Sequence, residues 1–216
     1  MLDLLREPII ESLQMLVFST FWTLVFGLPL GMLLILTDPK GLSPNKAIYS
    51  VVSGLINISR SIPFIILMIL LFPISRWLVG TTIGTQATIV PLTIAAIPFM
   101  GRVTEASLKE VDSGLIEAAR AMGASNLQII MKVLLPEALP GLIRSITLLM
   151  INLVAYSAMA GAIGGGGLGD LAIRYGYHRY QMDVLFVSVI IIVVLVQFIQ
   201  TAGNQFTYYI LNKRGE

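Results

Sequence analysis

Four stretches of this chain, residues 12–37, 77–101, 145–169 and 184–212, carry no charged side chain, and a fifth, 47–75, is interrupted only by Arg60. A helix of about 20 apolar residues crosses the hydrocarbon core of a bilayer. The runs therefore predict an all-α integral membrane protein with five transmembrane helices, at roughly 14–36, 54–74, 82–102, 143–165 and 184–206. Composition agrees. Charged residues make up 12% and apolar residues 56% of the 216, with mean hydropathy +0.86, whereas soluble domains carry about a quarter charged residues. A net charge of +2 does not suggest nucleic acid as a partner, and the lack of cysteine excludes disulfides and thiolate metal sites. Asp3, Glu7 and Glu11 make the start acidic, unlike a cleaved leader, so the first span is expected to be retained.

Lysines and arginines orient the spans, because cytoplasmic loops are enriched in them. With the C-terminus inside, the inner segments hold nine (Lys40, Lys46, Arg102, Lys109, Arg120, Lys132, Arg144, Lys213 and Arg214). The outer segments hold four: Arg6, Arg76, Arg174 and Arg179. The expectation is N-terminus outside and C-terminus cytoplasmic. Gly27, Pro29, Gly31, Pro63, Pro91 and Pro98 fall inside the spans, where neighbouring helices can satisfy freed backbone groups. Gly27 and Gly31, four apart, suit close helix packing.

Between the third and fourth spans lies a polar island. Residues 102–144 hold five basic and five acidic side chains. Within it Leu115, Ile116, Ala119 and Met122 recur at helical spacing as one apolar stripe. Asp112 or Ser113 suits the N-cap and Glu117 lies near the positive end. Gly123 supplies the left-handed residue that commonly ends a helix. A second helix is predicted from Asn126 to Leu135, broken by Pro136 and Pro140 before the fourth span. Periodicity alone also fits a loop lying flat on the membrane surface.

The spacing of Glu117-Ala118-Ala119, Gly123, Val133, Leu135 and Pro136 resembles the E-A-A, G, I-x-L-P pattern of ABC importer permeases, with Val in place of Ile. The resemblance implies a type I ABC importer permease fold over residues 9–204, with a cytoplasmic coupling loop at 103–142. In it Glu117, Ala118, Ala119, Arg120, Ala121, Met122 and Gly123 form the coupling helix, which seats in a groove of a separate ATPase. Ala118, Ala119 and Gly123 keep that contact close, and Glu117 and Arg120 offer charged rim contacts. Further segments are similar to the methionine importer permeases. They are Arg60-Ser61-Ile62-Pro63-Phe64, Ile89-Val90-Pro91-Leu92-Thr93, the run from Lys132 to Leu142, Tyr156-Ser157-Ala158-Met159, and Gly166-Gly167-Leu168-Gly169 with Arg174-Tyr175-Gly176-Tyr177.

That family implies a homodimer in membrane lipid, two copies of a cytoplasmic ABC ATPase, and an extracellular or periplasmic substrate-binding lipoprotein. ATP and magnesium belong to the ATPase, and this chain binds no cofactor. It holds no G-x-x-x-x-G-K-[ST] sequence. The formal G-x-G-x-x-G at Gly164, Gly166 and Gly169 ends a span without a preceding strand, so a turn is expected there.

Candidate pathway residues are Tyr156, Ser157 and Met159 on the fourth span, with Arg60 as the charge inside the second. Packing explains the first three equally well, and Arg60 also fits snorkelling to the interface. His178, with Arg174, Tyr175, Tyr177, Arg179 and Tyr180, reads as an interfacial anchor. An importer of another amino acid or small osmolyte shares the coupling motif. An ion-coupled carrier needs carboxylates within its spans, and none falls inside those predicted. No nucleophile–base or paired-carboxylate arrangement points to an enzyme.

Overall fold

The computed structural model describes residues 2–214, all helical apart from short connections. Helix α1 spans Leu2–Thr37, α2 Lys46–Ser61, α3 Phe64–Val79 and α4 Thr85–Lys109. The short α5 covers Ser113–Ala121 and α6 covers Asn126–Ile129. A π-helical turn, Ile130–Leu134, joins α6 to α7 at Leu135–Gly161. The chain ends with α8 (Gly167–Leu171), a second π turn (Ala172–Tyr177) and α9 (Met182–Arg214).

The helices outrun the apolar stretches. α1 has 36 residues, about 54 Å at 1.5 Å per residue, against a hydrocarbon core of about 30 Å. Its first turns leave the membrane still helical, because a helix satisfies its own backbone in water as well as in lipid. Likewise α4 continues to Lys109 and α9 starts at Met182.

Three prolines behave contrary to expectation. The second predicted span, 54–74, is not one helix: α2 and α3 meet at 108°. Pro63 disfavours helical backbone at the residue before it, and Ile62 is accordingly extended (φ −83, ψ 125). Among the described residues four helices are long and apolar enough to cross a membrane, and the α2–α3 pair supplies a fifth crossing only as one broken span. Conversely, Pro136 and Pro140 do not break the chain, since Asn126–Gly161 runs as one 36-residue helix. The Leu135 N–H reaches back to the Ile130 carbonyl, an i→i−5 bond. A turn widened in this way accommodates the missing donor and the ring of Pro136.

The core lies where α1, α4, α7 and α9 meet, around Met15, Leu92, Met100, Leu149, Leu153 and Ile199. α1 and α4 approach closely at glycine. A Cβ on Gly27 would stand 2.7 Å from the Met100 Cβ, and one on Gly31 would stand 2.7 Å from the Gly101 carbonyl oxygen. The four-residue spacing expected to permit close packing does so. A second cluster at one end joins Leu108, Ala119, Ile129, Leu134, Ala138 and Leu142, fixing α5 to the ends of the long helices. The outer face of α9 stays bare, with Phe186, Ile190, Val194 and Phe198 all exposed, as suits a lipid-facing helix.

At the opposite end, the Glu11 carboxylate accepts from the Gly167 N–H at 2.6 Å and the Ser12 hydroxyl from the Leu168 N–H at 2.9 Å. The glycine-rich stretch is therefore a packed turn, capped by α1. Truncating the cap in Glu11→Ala leaves a part-buried N–H without its charged acceptor, an expected loss of about 1–3 kcal/mol. Thermal unfolding in detergent, compared with Glu7→Ala, measures it.

Candidate functional site

The polar island folds as a closed module. The Asp112 carboxylate accepts from the Gly114 N–H at 2.8 Å and starts α5. At the other end Gly123 has φ +79, its N–H reaches the Arg120 carbonyl, and the Ala124 N–H reaches the Ala119 carbonyl. This pair of bonds is the Schellman arrangement, which needs a left-handed residue at that position. Two residues later Ser125 and Gln128 form a reciprocal capping box. Both ends of the turn between α5 and α6 are thus fixed by local sequence.

The stripe expected on α5 divides in two. Ile116 and Ala119 turn inward onto the Leu108–Leu134 cluster. Leu115 and Met122 face out, Met122 being 82% exposed. Leu115, exposed Ala118 and Met122 follow an i, i+3, i+7 progression along one outer face. Leu127 and Met131 are also exposed, at 69% and 57%. A helix outside the predicted spans with this much bare apolar surface fits a partner better than solvent. Glu117 and Ala121 are exposed beside it. Arg120 is exposed and donates to the Leu42 carbonyl at 3.4 Å, and the Asn126 amide bonds Leu42 and Ser43. These bonds fasten α5 and α6 to the α1–α2 loop. Between that loop and α5 lies a cavity of about 540 Å³, lined by Lys40, Glu117 and Arg120 over Ile35, Leu108 and Leu134.

Behind this module is a charged cluster that the sequence did not disclose. Glu105, 2% exposed, receives Arg102 at 2.7 Å, Lys109 at 2.7 Å and the Tyr49 hydroxyl at 3.0 Å. Lys109 also pairs with Asp38 at 2.8 Å. Burial by itself would raise the Asp38 carboxyl, but bonds from the Lys109 ammonium and the Lys40 N–H, with the charges of both lysines, hold it below its ordinary value. The pair's contribution is therefore complete above the ordinary carboxylate range and is lost only as pH falls through that lowered value. Arg102, Glu105 and Lys109 sit at helical spacing, which was the available signal. The predicted span ended at 102, so the helix that unites them was not extended far enough.

Of the pathway candidates, Arg60 and Tyr156 come together. They line one cavity of about 170 Å³ with Ser59, Phe64 and Phe99, beside the α2–α3 break. Tyr156 stacks on Phe64 with centroids 4.4 Å apart. Ser157 is elsewhere: it is buried and its hydroxyl donates to the Val154 carbonyl of its own helix at 2.8 Å. Met159 joins neither, and is 51% exposed on α7. In the aromatic–basic loop, Arg179 lies 4.4 Å over the Tyr175 ring and Arg174 pairs with Asp170 at 2.7 Å. Among the described residues no group of three or more His, Cys, Asp or Glu side chains is placed to hold a metal.

Comparison with known proteins gives this geometry a family. Residues 15–213 match the binding-protein-dependent transport system inner membrane component. The chain is 50% identical over 202 residues to the probable D-methionine transport system permease protein MetI of Vibrio cholerae, covering 94% of this chain and 90% of that one. It is 52% identical over 161 residues to the Escherichia coli K12 D-methionine transport system permease protein MetI, covering 74% of each. A solved structure of the MetNI methionine ABC transporter in an inward-facing conformation superposes with TM-score 0.91 at 50% identity, covering 93% of both chains. The bare α5 face, the long helices around one core and these likenesses converge: the chain belongs to the family of inner membrane components of binding-protein-dependent transport systems.

Proposed function

We propose that this chain is the permease subunit of an ATP-driven methionine importer, acting as a homodimer with two copies of an ABC ATPase and an external methionine-binding lipoprotein. The observation that carries the reading is α5, a rigidly capped helix whose Leu115–Ala118–Met122 face is bare. Half-identity to proteins named as methionine permeases supports the cargo. ATP and magnesium sit on the ATPase, and this chain supplies the pathway and the grip. Glu117 to Gly123 form the contact with the ATPase, with Met122 and Leu115 as apolar anchors and Glu117 at the rim. The lysine and arginine asymmetry supports a cytoplasmic C-terminus. The opposite placement of the N-terminus follows if α2 and α3 cross once as a broken span.

Symmetric pairing puts the pathway on the dimer axis. α7 packs into the core, yet Leu148, Ala155 and Met159 stay exposed along one side of it at i, i+7 and i+11. That stripe suits a pathway wall or the second copy. Arg60 and Tyr156, at the α2–α3 break, form the polar part of the wall. A cation there attracts the carboxylate of passing cargo. Replacing it in Arg60→Met removes a charge-assisted bond worth about 1.5–3 kcal/mol, so uptake falls about tenfold or more at low cargo concentration. Undiminished uptake in assembled Arg60→Met transporter removes Arg60 from the pathway.

The absence of native cysteine makes the docking test clean. Met122→Cys is expected to crosslink to a cysteine in the ATPase groove, and Val51→Cys, on the exposed face of α2, is not. Equal crosslinking from both positions would remove α5 as the contact.

A further inference from the structure

Helix α2 is turned inside out relative to an ordinary packed helix. Its large apolar residues Ile48, Val51, Leu55 and Ile58 point away from the body at 42–65% exposure, and Ile56 is its one buried residue among those described. Apart from Ile56, what α2 turns to α4 is polar. Tyr49, Ser53 and Asn57 follow at i, i+4 and i+8, and each is bonded to the Glu105 cluster. The Tyr49 hydroxyl donates to Glu105, while Arg102 donates to Ser53 Oγ at 2.8 Å and Asn57 Oδ1 at 3.0 Å. Through Lys109 the same carboxylate reaches Asp38, where α1 ends. α2 is thus fastened to α4 by one hydrogen bond to Glu105 and two from Arg102, whose guanidinium Glu105 holds in place.

The position of that anion matters. Three residues, Glu110 to Asp112, separate Lys109 at the end of α4 from Ser113 at the start of α5. On the α4 side, a pull on α5 therefore arrives first at Lys109 and Glu105. From there it has two routes, up α4 and sideways into α2. α2 ends at the 108° elbow with α3, where Arg60, Phe64 and Tyr156 line their cavity. Short charge-assisted bonds in a desolvated setting are the stiffest links a side chain offers. Apolar contact alone would not replace them, since α2 turns its apolar residues outward.

We propose that Glu105 is a positioning residue for transport: it locks α2 to α4 so that movement of α5 is delivered to the α2–α3 elbow. This rests on the reading of α5 as the ATPase contact. Glu105 touches neither ATP nor cargo. Its loss therefore separates hydrolysis from uptake, leaving α5 docked and α2 uncoupled.

The experiment uses the complete transporter in proteoliposomes with its ATPase and binding protein, and compares Glu105→Gln, Glu105→Asp and Tyr49→Phe with the unsubstituted chain. Methionine uptake per ATP hydrolysed falls about tenfold in Glu105→Gln, within the span of typical coupling free energies. Tyr49→Phe loses less, and Glu105→Asp regains part of the ratio. Spin labels at Ile58→Cys on α2 and Ala106→Cys on α4, both exposed, report the lock directly. Their separation is narrowly distributed in the unsubstituted chain with and without ATP, and broadens in Glu105→Gln. An unchanged ratio of uptake to hydrolysis in Glu105→Gln overturns the proposal. So does a proportional fall of both activities with an unaltered label distance, the mark of a merely structural role. If Glu105→Gln does not assemble, Tyr49→Phe decides, and an unchanged ratio with an unchanged distance overturns the proposal. Failure of the unsubstituted chain to take up methionine counts instead against the importer reading, while the label distances still test the lock.

Discussion

Replacing Gly123 by valine is expected to abolish most coupled transport while leaving the membrane helices inserted. Gly123 has φ +79, and a Cβ built there meets nothing within 4 Å, so added bulk does not collide. The cost is the left-handed backbone itself, about 1–2 kcal/mol for an ordinary residue and more for a β-branched one. That cost falls on the turn that holds the Ala124 N–H to the Ala119 carbonyl and aims α5. If a marginally stable turn loses about 2 kcal/mol, the ratio of docking-competent to incompetent turns falls roughly thirtyfold, and apparent affinity for the ATPase falls towards that ratio. A graded series isolates the cause. Gly123→Asn, which tolerates left-handed backbone, is the mildest, Gly123→Ala is intermediate and Gly123→Val is the worst. Co-purification with the ATPase and uptake should both follow that order. A response that follows side-chain volume instead contradicts it.

The second large effect belongs to Gly31. Here the obstacle is solid: a Cβ at this position meets the Gly101 carbonyl oxygen and the buried Thr104 side chain of α4. Backbone does not step aside as a flexible side chain does, so Gly31→Leu must push α1 off α4. Overpacking a filled interior costs about 1–3 kcal/mol, and membrane helices rely on such close approach more than soluble ones do. The displacement reaches the functional end, because α1 carries Met32 and Ile35 into the cluster beneath α5. Gly31→Leu is expected to lower the unfolding midpoint in detergent by several degrees, with reduced yield of assembled complex. Gly54→Leu, where a Cβ meets nothing within 4 Å, is the matched control and leaves the midpoint of the chain unchanged. Equal behaviour of the two variants contradicts the α1–α4 contact.

What the sequence disclosed and what it hid divide along a physical line. The module around α5 was legible because its boundaries are local. Asp112, Gly123, Ser125 and Gln128 each act within two or three residues of where they stand, and local chemistry has a readable spacing. Proline was harder. Pro63 was read as tolerated within a span and Pro136 as a breaker, and the structure reverses both. Pro136 is flanked by Leu134 and Ala138, both buried in one cluster, so tertiary packing keeps the chain helical and the π turn absorbs the misfit. Pro63 has exposed Ser61 and Ile65 around it, and nothing resists the bend. The Glu105 cluster was missed for a different reason. Hydropathy marks where α4 becomes polar, not where it ends, and Tyr49 lies 56 residues away in sequence. Of the pathway candidates, Arg60 and Tyr156 share a cavity, while the Ser157 hydroxyl donates to its own helix backbone.

Labelled methionine is offered to proteoliposomes holding this chain and its ATPase, with ATP inside and the binding protein outside. Uptake is expected to require all three components and to stop when any one is omitted. Methionine accumulation without the ATPase or without ATP would contradict it. So would ATPase stimulation and uptake driven by the loaded binding protein of another amino acid or osmolyte, with none for methionine.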